Sequence, residues 1–237
     1  MELKKPDMIM FDYHNTLVAE PDWSAESGNK ALMKYITRNP RGCTYEDIIA
    51  QYHAVFSEIS RVRRSLGYEI SGVAGSKLVY EGLGIGLSLT DSELEQVFWN
   101  AASRGKVLPF VEEMLKYLRS AGIRTAVISN NAWSGRALRA RLDRLLPENV
   151  FEFHISSCDY MVRKPDRRLF EAALSKAGLS ADRVWYCGDV FEKDVVGAHG
   201  AGMFPVLYGC VERAADFDFL KINDWRELIA LLKNLSV

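Results

Sequence analysis

Two aspartates and a serine stand where short apolar runs stop. The run 8–11 ends in Asp12, the run 125–128 ends in Ser129, Asn130 and Asn131, and the run 184–187 ends in Gly188 and Asp189. Asp194 follows five places after Asp189, and Lys164 lies in the segment Arg-Lys-Pro-Asp at 163–166. Carboxylates, a hydroxyl and an ammonium are the groups of nucleophilic, acid–base and cation-binding chemistry. Taken singly, each has a plainer use: an aspartate or serine after a strand caps a helix or forms a turn, and a lysine decorates a surface. Only their joint placement argues for chemistry.

That placement depends on the elements behind the residues. Short continuous apolar runs suit strands buried on both faces, as in a parallel sheet. A fourth such run spans 204–208, and 151–155 is a weaker one. Amphipathic stretches alternate with them. Residues 110–120 carry Val111, Met114, Leu115 and Leu118 at helical spacing, with Gly122 as a stop. Residues 167–177 carry Leu169, Phe170, Ala173, Leu174 and Ala177 ahead of Gly178, and 225–235 carry Leu228, Ile229, Leu231 and Leu232. Strand and helix in alternation predict a doubly wound α/β sheet, whose ligand sits outside the carboxyl ends of the strands. Asp12, Ser129 and Asp189 each fall at such an end.

From about Val18 to Lys106 the pattern changes. The spacing predicts helices over 29–38, 45–64, 77–82 and 92–103, with Gly72, Gly75, Gly82, Gly84 and Gly86 marking a flexible stretch between them. A helical insert therefore interrupts the α/β domain after its first strand.

Four fragments now fall in order: Phe-Asp-Tyr-His-Asn-Thr-Leu at 11–17, Val-Ile-Ser-Asn-Asn at 127–131, Arg-Lys-Pro-Asp at 163–166 and Cys-Gly-Asp-Val at 187–190 with Asp194 beyond. Their order, spacing and strand-end placement resemble the four signature motifs of the haloacid dehalogenase-like superfamily, and the insert resembles the subfamily with an α-helical cap after the first motif. The resemblance implies a Rossmann-like three-layer core with a parallel sheet, built from residues 1–17 and 107–237, and a cap from 18–106. It also implies a magnesium-dependent phosphohydrolase acting on a small phosphorylated metabolite. Asp12 matches the family nucleophile that forms an aspartyl-phosphate and offers its second oxygen to the metal. Asp189 matches the other directly bound carboxylate, the backbone carbonyl of His14 the remaining protein ligand, and Asp194 an acidic position supporting the metal from behind or beside it. Ser129 and Lys164 match the residues that hold the transferring phosphoryl oxygens, and backbone N–H groups near His14 and Asn130 complete the cradle. Asp166 reads as an N-cap for the helix after it.

One position departs from the pattern. The family's phosphatases carry a second aspartate two places after the nucleophile, which protonates the leaving group and later deprotonates water; this chain has His14 there. An imidazole titrates near neutrality and can shuttle a proton. The other reading is that His14 only packs, which would leave a slow enzyme or a protein that binds a phosphorylated ligand. Dehalogenases of the superfamily lack the Gly-Asp metal motif that Gly188 and Asp189 supply. Phosphonate hydrolysis needs a cap lysine, for which Lys30, Lys34 and Lys77 are undistinguished candidates.

Composition bounds the remainder. The 237 residues are 48% hydrophobic and 26% charged, enough apolar content for a real core. A net charge of −1 offers no basic field for nucleic acid. Basic clusters at Arg61, Arg63 and Arg64 and at Arg136, Arg139, Arg141 and Arg144 read as solvated helix faces. Cys43, Cys158, Cys187 and Cys210 form no C-x-x-C pair and read as reduced thiols of a cytoplasmic protein. No apolar stretch approaches the roughly 20 residues of a membrane helix. His53, His154 and His199 read as structural.

Overall fold

A computed structural model describes residues 3–209 and 214–235, so the expectation for Cys210 lies outside the described residues. Its centre is a six-stranded sheet of β1 (Met8–Phe11), β6 (Arg124–Ser129), β7 (His154–Ser156), β8 (Val184–Gly188), β9 (Phe204–Tyr208) and β10 (Leu220–Ile222), in the order β10-β9-β8-β1-β6-β7. Every pairing in it is parallel. The chain leaves β1 toward β6 and β7, then returns to β8 on the other side, so the order reverses at β1. Such a reversal opens a crevice at the carboxyl ends of the strands.

The strands are apolar throughout because both faces are covered. Side chains alternate across a strand, and β1 sends Ile9 and Phe11 to one face and Met8 and Met10 to the other. The first face meets α5 (Val111–Ser120), α6 (Gly135–Leu145) and α10 (Trp225–Asn234), with Trp225 edge-on to Phe11 at 5.5 Å. The second meets α8 (Arg167–Ala177) and the short α9 (Val196–Gly200) through Leu169, Phe170, Ala173 and Ala198. The result is the three-layer α/β core expected. Asp166 caps α8 by accepting from the Arg168 N–H, and Gly178 closes that helix at φ +64°, a left-handed turn that suits glycine.

Residues between β1 and α5 form four helices, α1 (Ala25–Leu32), α2 (Tyr45–Leu66), α3 (Gly72–Gly82) and α4 (Asp91–Ala102). Thr44 with Asp47 and Thr90 with Glu93 make capping boxes that start α2 and α4. The segment leaves and re-enters the core through an antiparallel pair, β2 (Val18–Ala19) with β5 (Lys106–Val107).

Two expectations here are corrected. Residues 29–38 are not one helix: α1 ends at Leu32, a 3₁₀ turn covers Met33–Tyr35, and β3 (Ile36–Arg38) pairs with β4 (Gly86–Leu87). Ile36 and Thr37 are β-branched and gain a partner strand 50 residues away that local spacing does not reveal. Gly72 and Gly75 do not mark a flexible link but lie inside α3. A Cβ at Gly72 would stand 2.6 Å from the Trp133 ring and one at Gly75 2.7 Å from Phe56, so these glycines seat rings. The short α7 (Ser157–Tyr160) completes the helices of the described residues.

Candidate active site

Asp12 follows directly on the last residue of β1, and its N–H donates to the Cys187 carbonyl at 2.8 Å, extending the ladder by one bond. The sheet register, Phe11 against Val127 and Cys187, brings the ends of β6 and β8 level with it. Asp12 is 7% exposed and Lys164 4%. The Lys164 ammonium donates at 2.7 Å to Asp12 Oδ1, at 2.7 Å to Asp194 Oδ1 and at 2.7 Å to the Tyr186 hydroxyl. All three of its donors are thus engaged.

The lysine is held from its backbone as well. Asn130, just past β6, accepts from the Lys164 N–H at 2.7 Å and donates to its carbonyl at 3.0 Å. Asp194 lies in a wide π turn, Phe191–Val195, and its Oδ2 accepts from the Val190 N–H at 2.9 Å. Such turns recur at functional sites because they re-aim a side chain. Gly188 makes room for it: a Cβ there would stand 2.3 Å from Asp194 Cγ, an overlap that no rotamer of Asp194 in place relieves.

The electrostatics follow from burial. Burial pushes the Asp12 carboxyl up to about 7, against the pull of Lys164, and neighbouring Asp194 and Asp189 add to the rise. Burial and then Asp194 also raise Asp189. Burial opposes the charge of Lys164, but Asp12 and Asp194 outweigh it and hold the ammonium above the usual lysine value. Oxygens of Asp12, Asp189 and Asp194 lie within 4.8 Å of one another, with one ammonium in direct contact. By direct contact the three carboxylates meet one ammonium, a surplus of negative charge at the cluster itself, while Lys193 and Arg163, the latter paired with Glu69, line the cavity beside it. An all-oxygen donor set with that surplus fits a hard divalent cation such as magnesium.

The structure brings Asp12, His14, Asn130, Lys164, Asp189 and Asp194 to the wall of one cavity of about 180 Å³. His14 itself is exposed, in the hydrogen-bonded turn after β1. Ser129 is 1% exposed and lines an adjoining cavity of about 350 Å³, whose wall shares His14 and Asn130 with the first.

Sequence reasoning missed Tyr186, Glu69 and Arg163. Tyr186 sits inside an apolar run, yet its buried hydroxyl accepts from Lys164 and donates to the Ile128 carbonyl at 3.0 Å. Glu69, between α2 and α3, is buried and accepts from Ser157 Oγ at 2.7 Å, from Arg63 Nε at 2.7 Å and from Arg163. Nothing in the local sequence marks it. A solvated face also proves wrong for Arg141, which is 3% exposed, pairs with Glu20 at 2.5 Å and donates to Tyr13 Oη at 2.7 Å. His154 Nε2 is buried and lacks a protein partner, while His199 stacks on Phe217 at 3.8 Å. No described helix is long and apolar enough to cross a membrane.

Comparison with known proteins agrees with this geometry. A family model for haloacid dehalogenase-like hydrolases matches residues 6–202. A glyceraldehyde 3-phosphate phosphatase of Methanothermobacter thermautotrophicus is 32% identical over 110 residues, 45% of this chain and 46% of that protein. A ribulose-1,5-bisphosphate 5-phosphatase of Halopiger xanaduensis is 23% identical across 84% of this chain and 83% of its own. The chain spans about half the length of the first of these relatives. Among solved structures, a phosphatase of Thermococcus onnurineus superposes with TM-score 0.65 at 20% identity, covering 97% of this chain and 98% of that one. A 2-haloacid dehalogenase of Pseudomonas syringae superposes at 0.64 with 21% identity, covering 97% and 99%. Phosphatase and dehalogenase fit equally well, so these superpositions establish the fold and leave the chemistry to the site.

Proposed function

This chain belongs to the haloacid dehalogenase-like hydrolases, and on that premise we propose that it is a magnesium-dependent phosphomonoesterase acting on a small phosphorylated metabolite through Asp12. The observation that carries the proposal is the grouping of Asp12, Asp189 and Asp194 around one lysine at the carboxyl end of the sheet. Displacing halide from carbon needs no such surplus of carboxylates, whereas an anionic phosphate ester needs a cation before a carboxylate can approach it. Relatives named for the dephosphorylation of glyceraldehyde 3-phosphate, phosphoserine and ribulose bisphosphate support the same choice.

Asp12, Asp189 and the His14 carbonyl would hold the magnesium, which screens the phosphate charge and polarises the phosphoryl group. An Asp12 oxygen attacks phosphorus, the ester P–O bond breaks, and the departing alcohol takes a proton from His14. Water then attacks the aspartyl-phosphate, giving its proton to His14 and releasing inorganic phosphate and free Asp12. Lys164 holds the nucleophile by hydrogen bond and offers the incoming phosphoryl group its positive charge, with Ser129 donating to the phosphoryl oxygens and Asn130 fixing the lysine. Asp194 places Lys164 and the chain before it. Residues 18–106 act as the cap over a core of 1–17 and 107–237. Lys30, Lys34 and Lys77 are exposed and line neither cavity, which gives phosphonate chemistry no support.

The test is release of inorganic phosphate from phosphate monoesters with and without magnesium, beside the Asp12→Asn variant. Metal-independent turnover, or substantial turnover by the variant with deamidation excluded, overturns the proposal. Tight phosphate-ester binding with no turnover would favour the binding-protein reading that His14 leaves open.

A further inference from the structure

The larger cavity is walled by six aromatic rings, Tyr13, Trp23, Tyr52, Phe56, Trp99 and Trp133, and joins the Asp12 cavity at His14 and Asn130. The wall is one packed unit. Tyr52 stacks on Phe56 at 4.2 Å, Trp99 lies 6.5 Å from Trp133, and Tyr13 meets Trp99 edge-on at 5.7 Å. Phe98 stands behind it, 5.1 Å from Trp133 and 6.0 Å from Tyr52. Three helical glycines seat these rings: a Cβ at Gly28 would meet Phe98 at 2.8 Å, one at Gly72 Trp133 at 2.6 Å and one at Gly75 Phe56 at 2.7 Å. Rings fixed this way present flat faces with little freedom to lose on binding.

Of the polar side chains on the same wall, Glu20, Asn130 and Asn131 are already engaged and Arg63 Nε donates to Glu69 at 2.7 Å, while His14, Ser60 and Ser129 also line it. Glu20 Oε1 accepts from Tyr13 Oη at 3.1 Å, Trp99 Nε1 at 2.8 Å and Arg141 at 2.5 Å. Asn130 spends its amide on the Lys164 backbone, and Asn131 Oδ1 accepts from the Trp133 N–H at 3.0 Å. A polyol or amino-acid alcohol would bury hydroxyls or an ammonium against these rings, and an unpaired buried polar group is costly. A flat apolar ring loses nothing there.

We propose, resting on the phosphomonoesterase reading, that the preferred substrate carries an aromatic ring on its alcohol side, seated against this wall while its phosphate reaches Asp12. The ring faces Phe56 and Trp23, which belong to the segment between β1 and α5, so that segment selects the substrate.

Two phosphate esters of alkyl alcohols with similar leaving tendency separate ring recognition from leaving-group chemistry: 2-phenylethyl phosphate and glycerol 3-phosphate. Calorimetry with magnesium and Asp12→Asn protein should show the phenyl ester bound about tenfold or more tightly, a margin aromatic packing supplies. The ratio of kcat/KM in the wild type should follow. Phe56→Ala and Trp23→Ala should each lower the binding ratio at least about threefold, and Phe56→Tyr should restore it. Trp23 is 44% exposed, so its truncation leaves the core intact even if Phe56→Ala disturbs α2. Equal binding of the two esters, or ratios unchanged in both truncations, overturns the proposal. Absence of turnover with the binding ratio preserved would instead sink the phosphomonoesterase reading and leave the ring site standing.

Discussion

The Lys164 ammonium lies 2.7 Å from one carboxylate oxygen of Asp12 and 2.7 Å from one of Asp194, so a single buried cation ties the end of β1 to the turn that follows β8. Removing it leaves two buried carboxylates facing each other and an incoming phosphate. Lys164→Ala should cost roughly a hundredfold or more in kcat/KM, as loss of one preorganised charge does. A variant within a few-fold of wild type on several esters would show that the lysine serves only the fold.

Gly188 gives an independent handle on the same arrangement. An added methyl would overlap Asp194, whose Cγ lies 2.3 Å from the ideal Cβ position. Gly188→Ala should displace Asp194 and with it Lys164, lowering turnover about tenfold or more while far-UV circular dichroism stays that of a folded protein. Wild-type kinetics in a folded variant would mean that Asp194 placement is irrelevant to rate.

If His14 moves the proton, its removal matters most when the alcohol leaves reluctantly. His14→Ala should slow alkyl phosphates by about a hundredfold and activated aryl phosphates far less, because a stable phenolate departs unaided. Magnesium affinity should persist, since on the proposed reading this position offers only its backbone carbonyl. Equal slowing of both ester classes would reduce His14 to a packing residue.

His154 governs a different property. Burial lowers it from 6.5 to about 4, and its Nε2 has no protein partner. The folded value lies below the unfolded one, so protons prefer the unfolded chain. Its contribution to stability is therefore full above about 6.5 and is lost as pH falls toward 4. His154→Leu should lose about 3 °C less of Tm than wild type between pH 7 and pH 4.5. Parallel losses in the two proteins would show that the imidazole titrates freely in the native state.

The strand ends were legible because burial on both faces writes unbroken apolar runs, and Asp12, Ser129 and Asp189 stop three of them. Helix α8 was legible because Asp166 and Gly178 punctuate it at both ends. Distant partners hid the rest. Residues 36–38 become a strand only because residues 86–87 lie beside them, and Arg141 becomes a core residue only because Glu20 and Tyr13 reach it. Gly72 and Gly75 look like breaks until the rings of Trp133 and Phe56 are in place. Tyr186 was the hardest to see, since an aromatic in an apolar strand gives no sign that its hydroxyl meets a lysine.

The turn after Asp12 closes on itself tightly. The Asn15 N–H donates to the Val18 carbonyl at 2.8 Å and the Val18 N–H to the Tyr13 carbonyl at 3.0 Å, and Val18 then pairs with Val107 where the helical segment returns. The connection to that segment and the turn that follows Asp12 are thus one hydrogen-bonded stretch of chain. A displacement at Val18 and Val107 would reach His14 through four residues of hydrogen-bonded backbone. On the proposed reading, a shift of the helical segment would therefore also shift the residue proposed to carry the proton.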